Sequence, residues 1–133
     1  ICEHYQLRAI LESSAAALAA DEKKDYEELE AVYDEAKEAL EQGEFQQYTD
    51  LNRAFHNEIW TMAGNQKMKK MIAELWNGLS MGNMVSEEEY AKVSIEEHGR
   101  IMAAIKKHNT EKAKQEMYDH IMRSRDDMLT YYI

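Results

Sequence analysis

Residues 23–43, which read KKDYEELEAVYDEAKEALEQG, decide the fold class of this chain. Apolar side chains recur in this stretch every three or four positions, and they are Tyr26, Leu29, Tyr33, Ala36 and Leu40. That spacing collects them on one face of an α-helix. Gly43 follows directly, and glycine readily adopts the left-handed conformation that ends many helices. The stretch therefore predicts an amphipathic helix over about residues 23–42.

The same reasoning predicts five more helices, over about residues 4–20, 44–63, 65–79, 87–107 and 110–131. The first of them carries an apolar stripe at Leu7, Leu11, Ser14 and Leu18. The signals that separate the later helices are Gly64, the pair Gly82-Asn83, a capping box from Ser86 to Glu89, and Asn109 as an N-cap. Short connections between amphipathic helices make neighbours antiparallel. We therefore predict an all-α protein, a single domain over residues 1–133 built as an antiparallel bundle of about six helices.

Composition and charge exclude several kinds of partner. The 133 residues include no proline and five glycines, and their formal net charge is −10. A phosphate backbone repels such a surface, so we expect this chain by itself to bind neither DNA nor acidic membranes. No uncharged run approaches the ~20 residues of a membrane span. Cys2 is the only cysteine, which suits a reducing compartment, and we expect a cytoplasmic protein.

Three of the five histidines fall within apolar stripes, namely His56, His98 and His120. His98 stands about ten residues before the predicted turn near Asn109, and His120 about eleven after it. The two imidazoles should therefore lie at nearly the same height in the helical hairpin. Two inward histidines at one level on adjacent helices suit a metal site. The alternative is that each is a core histidine bonded to a backbone or hydroxyl group, and the sequence leaves both interpretations open.

Other metal and catalytic patterns are absent from the sequence. A ferritin-like di-iron bundle needs Glu-x-x-His twice, and none of the five histidines has a glutamate three residues before it. The His-Glu-x-x-His, Cys-x-x-Cys and Gly-x-Ser-x-Gly patterns are also missing. These absences leave the three striped histidines as the candidate site.

Four motifs follow one another along the chain: LRAILE at residues 7–12, NRAFH at 52–56, EHGRI at 97–101 and MYDH at 117–120. In this order and spacing they resemble the FCD domain, the effector-binding C-terminal domain of the FadR subgroup of GntR-family transcription regulators. The resemblance runs along essentially the whole chain. It implies a helical bundle around a central ligand cavity, usually in a homodimer. It also implies a winged helix-turn-helix domain before Ile1, absent from this chain, through which alone the protein would bind DNA.

The resemblance further implies a divalent metal ion, such as zinc, nickel or manganese, held by one aspartate and three histidines. The matching positions here are Asn52, His56, His98 and His120. Asn52 stands where the family has aspartate, and its amide oxygen brings no negative charge. Weaker metal binding is therefore expected.

A small carboxylate effector often binds at the metal in this family. Arg8 matches the arginine of the first motif, and Arg123 lies three residues beyond His120, so both are predicted to contact the effector. The alternative for Arg8 is a surface ion pair with Glu12. We therefore predict a sensor domain that is not an enzyme. The competing functions are a metal-dependent hydrolase, which lacks a convincing carboxylate on the histidine stripes, and a structural helical adaptor.

Overall fold

The computed structural model describes residues 2–21, 23–77 and 87–132, and over these ranges the chain forms six α-helices. They are α1 (Cys2–Ala19), α2 (Glu27–Glu41), α3 (Phe45–Ala63), α4 (Gln66–Asn77), α5 (Glu87–Lys106) and α6 (Thr110–Tyr132). The all-α prediction is confirmed. The predicted end of the fourth helix, the Gly82-Asn83 break and the Ser86 cap lie outside the described residues.

The helix ends follow local chemistry that the sequence carries. Gly43 and Gly64 have φ angles of 72° and 73°, the left-handed conformation expected after a helix. Asn109 caps α6, because its Oδ1 accepts a hydrogen bond from the amide of Lys112 at 3.1 Å. The second helix begins four residues later than predicted, at Glu27, because the Asp25 carboxylate binds the Glu27 amide at 2.9 Å in a turn.

Helix α1 packs against several other helices through one face. It packs most extensively against α6 and also contacts α3, α4 and α5, whereas α2 packs against α3 and α5. The buried face of α1 is rich in small side chains, at Ala9, Ala15, Ala16 and Ala19. Small residues let neighbouring helices approach closely, so this face brings any polar residue on it near several other helices.

The apolar stripe predicted on the first helix faces outward. Leu7, Ile10 and Leu18 are 44%, 50% and 43% exposed, and Leu11 and Ser14 are half-buried. The opposite face is buried instead, and it carries both Arg8 and Glu12. Apolar periodicity therefore indicates the wrong side of this helix. The charged pair is tolerated inside because its members bind each other.

The hydrophobic core surrounds the three striped histidines. Its largest fully buried apolar side chains are Tyr5, Leu29, Phe55, Ile59, Ile72, Ile101, Ile105, Met117, Ile121 and Met128. None of the helices in the described ranges combines the length and apolarity that crossing a membrane requires.

Candidate metal centre

Three helices each contribute one buried histidine to a single point inside the bundle. His56 comes from α3, His98 from α5 and His120 from α6. Their Nε2 atoms form a nearly equilateral triangle, with edges of 3.2 Å (His56 to His98), 3.3 Å (His98 to His120) and 3.3 Å (His120 to His56). The structure thus places His98 and His120 at one level and adds His56 to them. The three rings together form a group of metal-ligating type.

On the far side of the His56 ring lies a buried carboxylate. The Nδ1 atom of His56 is 2.9 Å from Oε1 of Glu12, which also accepts a hydrogen bond from the Trp60 indole at 3.3 Å. The other oxygen of Glu12 binds the guanidinium of Arg8, with Nε at 3.0 Å and Nη2 at 2.9 Å. Because Glu12 is fully buried, its negative charge needs a partner inside the protein, and the Arg8 guanidinium is that partner.

A second carboxylate has the same relationship to His120. Oε1 of Glu97 lies 2.6 Å from Nδ1 of His120, and Arg123 Nε is 3.1 Å from each oxygen of Glu97. Arg123 also binds Asp127 and lies over the ring of Tyr90, at 5.3 Å from the ring centroid. Two parallel arrangements of arginine, glutamate and histidine therefore approach the centre from different helices.

The charges of the two glutamates decide where the histidine protons lie. Burial by itself raises the pKa of Glu12, but Arg8 and His56 outweigh it and hold that pKa at about 2. For Glu97 burial again opposes, and hydrogen bonds from His120 and Arg123 hold the pKa at about 2. Both glutamates are thus ionised at neutral pH. An ionised carboxylate only accepts, so Nδ1 of His56 and of His120 carries the proton that it donates.

The third histidine is held by packing. The ring of His98 stacks on Phe55 with 4.3 Å between centroids, and Oγ of Ser94 is 3.4 Å from His98 Nε2. Burial, reinforced by His120 and His56, lowers the pKa of His98 well below its usual value. Burial also lowers the pKa of His120, to about 4, although its bond to Glu97 opposes this. Both rings are neutral at pH 7, the form in which imidazole binds a metal.

The three facing nitrogens suit a cation. Because Nδ1 of His56 and of His120 is occupied by a glutamate, only Nε2 of each ring faces the centre, and these two atoms are 3.3 Å apart. A single proton among three ring nitrogens pairs two of them and leaves the third without a partner. A tetrahedral site with metal–nitrogen bonds of about 2.0–2.1 Å has nitrogen–nitrogen edges of about 3.3–3.4 Å. The observed triangle matches those edges.

Asn52 lies one helical turn before His56 on α3. Its side chain is 7% exposed, and Oδ1 is buried without a hydrogen-bond partner among the described residues. A buried amide oxygen is normally hydrogen-bonded. Because this one has no such partner among the described residues, it is available as an oxygen ligand for a metal ion. Asp50, the nearby carboxylate, is exposed. The residues present therefore fit a site with three nitrogen donors and one neutral oxygen donor.

The two arginines predicted to contact an effector both lie beside this centre and are both paired. Arg8 is buried against Glu12, with its guanidinium 4.7 Å from the Trp76 ring centroid. The i,i+4 pair with Glu12 expected on the surface is therefore an interior pair. Arg123 is half-buried and engages Glu97 and Asp127.

Sequence reasoning missed Glu12 and Glu97. Glu12 was visible only as a partner of Arg8, and Glu97 only as the residue before His98. One signal was available for Glu12, since it shares a helix face with several alanines and with Arg8, the one charged partner one turn away. For Glu97 the signal was weaker: the residue before an inward histidine is turned by about 100° and can face the next helix.

A comparison with known families now adds to the geometry. The family model of the FCD domain matches residues 3–123 of this chain. The chain belongs to the FCD domain family.

Relatives and a solved structure agree with this FCD assignment. Over 128 residues the chain is 29% identical to the "Uxu operon regulator" of Haemophilus influenzae. The matched region covers 90% of this chain and 47% of that protein. Over 124 residues it is 30% identical to the "Uncharacterized HTH-type transcriptional regulator YdhC" of Bacillus subtilis, covering 89% and 55% respectively. The FCD chain thus spans about half the length of the curated relatives it matches.

The fold of this FCD domain also occurs in E. coli McbR/YncC. The two superpose with a TM-score of 0.85 over 98% of this chain and 65% of the other, at 22% sequence identity. The relatives are transcription regulators by name, so this domain belongs with regulators and is not an enzyme. The family does not favour a metal-dependent hydrolase or a structural adaptor. Both glutamates near the histidines bind Nδ1 and so lie on the far side of the rings from the converging nitrogens.

Proposed function

We propose that this FCD domain is a metal-dependent sensor of a small carboxylate, which modulates DNA binding by a separate domain of a GntR-family regulator. One observation carries the proposal. The Nε2 atoms of His56, His98 and His120 converge within 3.2–3.3 Å, in a buried setting that leaves unpaired lone pairs unless a cation binds there. Asn52 supplies the fourth ligand through its orphaned Oδ1.

The metal ion is divalent, with zinc, nickel and manganese as the candidates. Three imidazoles and a neutral amide oxygen do not select strongly among these ions. Four protein ligands leave room for an exogenous oxygen donor on ions that accept five or six ligands. A carboxylate is a suitable donor, because it brings the negative charge that this ligand set lacks.

Arg8 and Arg123 are proposed to contact the effector. Arg8 binds Glu12 through Nε and Nη2, so its remaining terminal nitrogen is the group that would reach the ligand. Arg123 binds Asp127 through Nη1. An effector carboxylate would replace Asp127 there, because Glu97 is needed to orient His120. Each arginine then links the ligand to a histidine through one glutamate.

The signal passes to DNA only if the effector binds one arrangement of the whole protein better than another. Helix α1 is suited to this role, because Arg8 and Glu12 connect it to the histidine centre. We further propose that the regulator is a cytoplasmic homodimer. The exposed apolar side chains of Leu7, Ile10 and Leu18 on one face of α1 support a second copy there.

Elemental analysis of the natively purified chain, followed by a thermal-shift screen of mono-, di- and tricarboxylates, tests the proposal. We expect close to one divalent ion per chain. An acid at ~100 times its Kd should stabilise the loaded domain by ~2.7 kcal/mol, and by less after chelation. A chain that takes up no zinc, nickel or manganese, or a full screen with no shift, would contradict the sensor function.

A further inference from the structure

One buried hydroxyl near the centre has no role in the arrangement described so far. Tyr48 of α3 is 2% exposed, and its hydroxyl oxygen is buried without a hydrogen-bond partner among the described residues. It lies one turn before Asn52 and two turns before His56, on the same side of the helix. Buried hydroxyls are normally paired, so an unpaired one beside a candidate ligand site is unusual.

The surroundings of this hydroxyl connect it to the histidines through one residue of α5. Its neighbour on α5 is Ser94, which is fully buried and lies one turn before His98. Ser94 Oγ is 3.4 Å from His98 Nε2, a long contact that leaves the serine hydroxyl weakly used. Tyr48 belongs to the same buried cluster as Ala91 and Ile95 of α5, which lie on either side of Ser94 in the chain. Ser94 is near enough to lower the pKa of Tyr48, although the Tyr48 hydroxyl makes no hydrogen bond of normal geometry. Two hydroxyls therefore lie together next to the centre.

The electrostatics of this position favour a neutral polar group on a ligand. Burial raises the pKa of Tyr48, so its hydroxyl keeps its proton and can donate. Glu97 and Arg123 also act on Tyr48, but they neutralise each other in a direct ion pair. The position beside the two hydroxyls is therefore close to neutral. A ligand hydroxyl, which both donates and accepts, matches the pair without adding charge.

We propose that Tyr48 and Ser94 form a hydroxyl subsite that makes the domain select hydroxy-substituted small carboxylates over their unsubstituted analogues. The inference rests on the proposed function, because the ligand carboxylate binds at the metal. A hydroxyl on the second or third carbon then lies beside Ser94, with Tyr48 donating to it. A buried site built to pair with a hydroxyl discriminates against the analogue that leaves its own polar groups unpaired.

Matched pairs of acids test the subsite: 2-hydroxypropionate against propionate, 3-hydroxybutyrate against butyrate, and malate against succinate. Isothermal titration of the metal-loaded chain measures the six dissociation constants. For at least one pair we expect the hydroxylated acid to bind about tenfold more tightly or better, the discrimination expected of about one buried hydrogen bond. Tyr48→Phe and Ser94→Ala each remove one hydroxyl with little change of shape. Each should bring that ratio toward one, with the affinity for the unsubstituted acid and the metal content unchanged.

Tyr26→Phe is the matched control, because it removes a tyrosine hydroxyl at the start of α2, outside the subsite. It should leave the ratio of the two dissociation constants within each acid pair the same as in the unsubstituted chain. Circular dichroism and metal content establish that each variant folds and loads. Equal affinity within every pair, or a preference that survives both Tyr48→Phe and Ser94→Ala, overturns the subsite while leaving the sensor function standing. If none of the six acids binds, the subsite is overturned, and the full carboxylate screen then decides whether the sensor function stands.

Discussion

Glu12 lies 2.9 Å from Nδ1 of His56, although the two residues are 44 positions apart in the chain. The contact joins the first helix to the candidate metal centre through a fully buried carboxylate. It fixes the ring orientation and the tautomer of His56, so that Nε2 faces the other two histidines. The same logic applies to Glu97 and His120.

Glu12→Gln should weaken metal binding by roughly 10–100-fold, the usual effect of losing a carboxylate that orients a ligating histidine. Glutamine keeps the shape but cannot balance the buried charge of Arg8. The free energy of unfolding should therefore fall by up to ~3–5 kcal/mol, which is the cost of breaking a buried ion pair. Competition with a chromophoric chelator and urea unfolding measure the two effects. Glu116→Gln, which breaks only the exposed pair with Arg100, is the control and should change neither.

Replacing any one of His56, His98 and His120 with alanine should lower the metal content sharply. Each removes one of the three buried nitrogen donors, whose ligand atoms lie within 4.8 Å of one another. His4→Ala and His108→Ala are matched controls. The first lies near the chain end, and the second lies in the α5–α6 turn with Nδ1 against the Ala20 carbonyl. Mass spectrometry measures the metal content of each variant. Equal metal content in all five variants would contradict the assignment.

Asn52→Asp should tighten divalent metal binding, because a carboxylate replaces a neutral amide oxygen of the same size. Without metal the same change buries an unpaired charge. After a chelator has removed the metal, the variant should therefore be less stable than the metal-free unsubstituted chain. Relative to the unsubstituted chain, the melting temperature of the variant should therefore rise with metal bound and fall without it. Melting temperatures of loaded and chelated protein, with the metal Kd, test both signs.

Asp50→Asn is the control for that experiment, since Asp50 is exposed on the same helix. It should leave metal affinity unchanged. Loss of metal in Asp50→Asn, together with unchanged affinity in Asn52→Asp, would identify Asp50 as the ligand and remove Asn52 from the site.

Ile10→Glu and Leu18→Glu should weaken self-association, because they place charge on the exposed apolar face of α1. Val93→Glu is the control, since Val93 is an equally exposed apolar residue on α5. Sedimentation velocity over a range of concentrations measures the dimer. A chain that is monomeric at every concentration tested, or a dimer that tolerates both α1 substitutions, argues against this interface.

The 133-residue chain should not bind DNA by itself at moderate salt. Its net charge of −10 repels phosphate, and counterion release, the main source of non-specific affinity, needs clustered cations. Fluorescence anisotropy with a mixture of labelled duplexes checks this. Sequence-specific binding by this chain would contradict the assignment of DNA binding to a separate domain.

The sequence by itself determined the helices and most of their ends. Apolar periodicity, the glycines at 43 and 64 and the Asn109 cap are local signals, because a helix depends on residues within about four positions of each other. The level of His98 with His120 also followed from counting along one hairpin. Helical rise is constant, so residues at equal distances from a short turn lie opposite each other.

Only the tertiary structure decided which face of α1 is buried and what meets the histidines there. Arg8 and Glu12 are stable inside because partners from α3 and α4, far away in sequence, pair and cover them. Apolar periodicity assumes that charge faces water, so it pointed to the leucine side instead. Contacts such as Glu12 with His56 and Tyr48 with Ser94 depend on how whole helices rotate against each other. That rotation is set by packing across the bundle, which no local pattern in the sequence records.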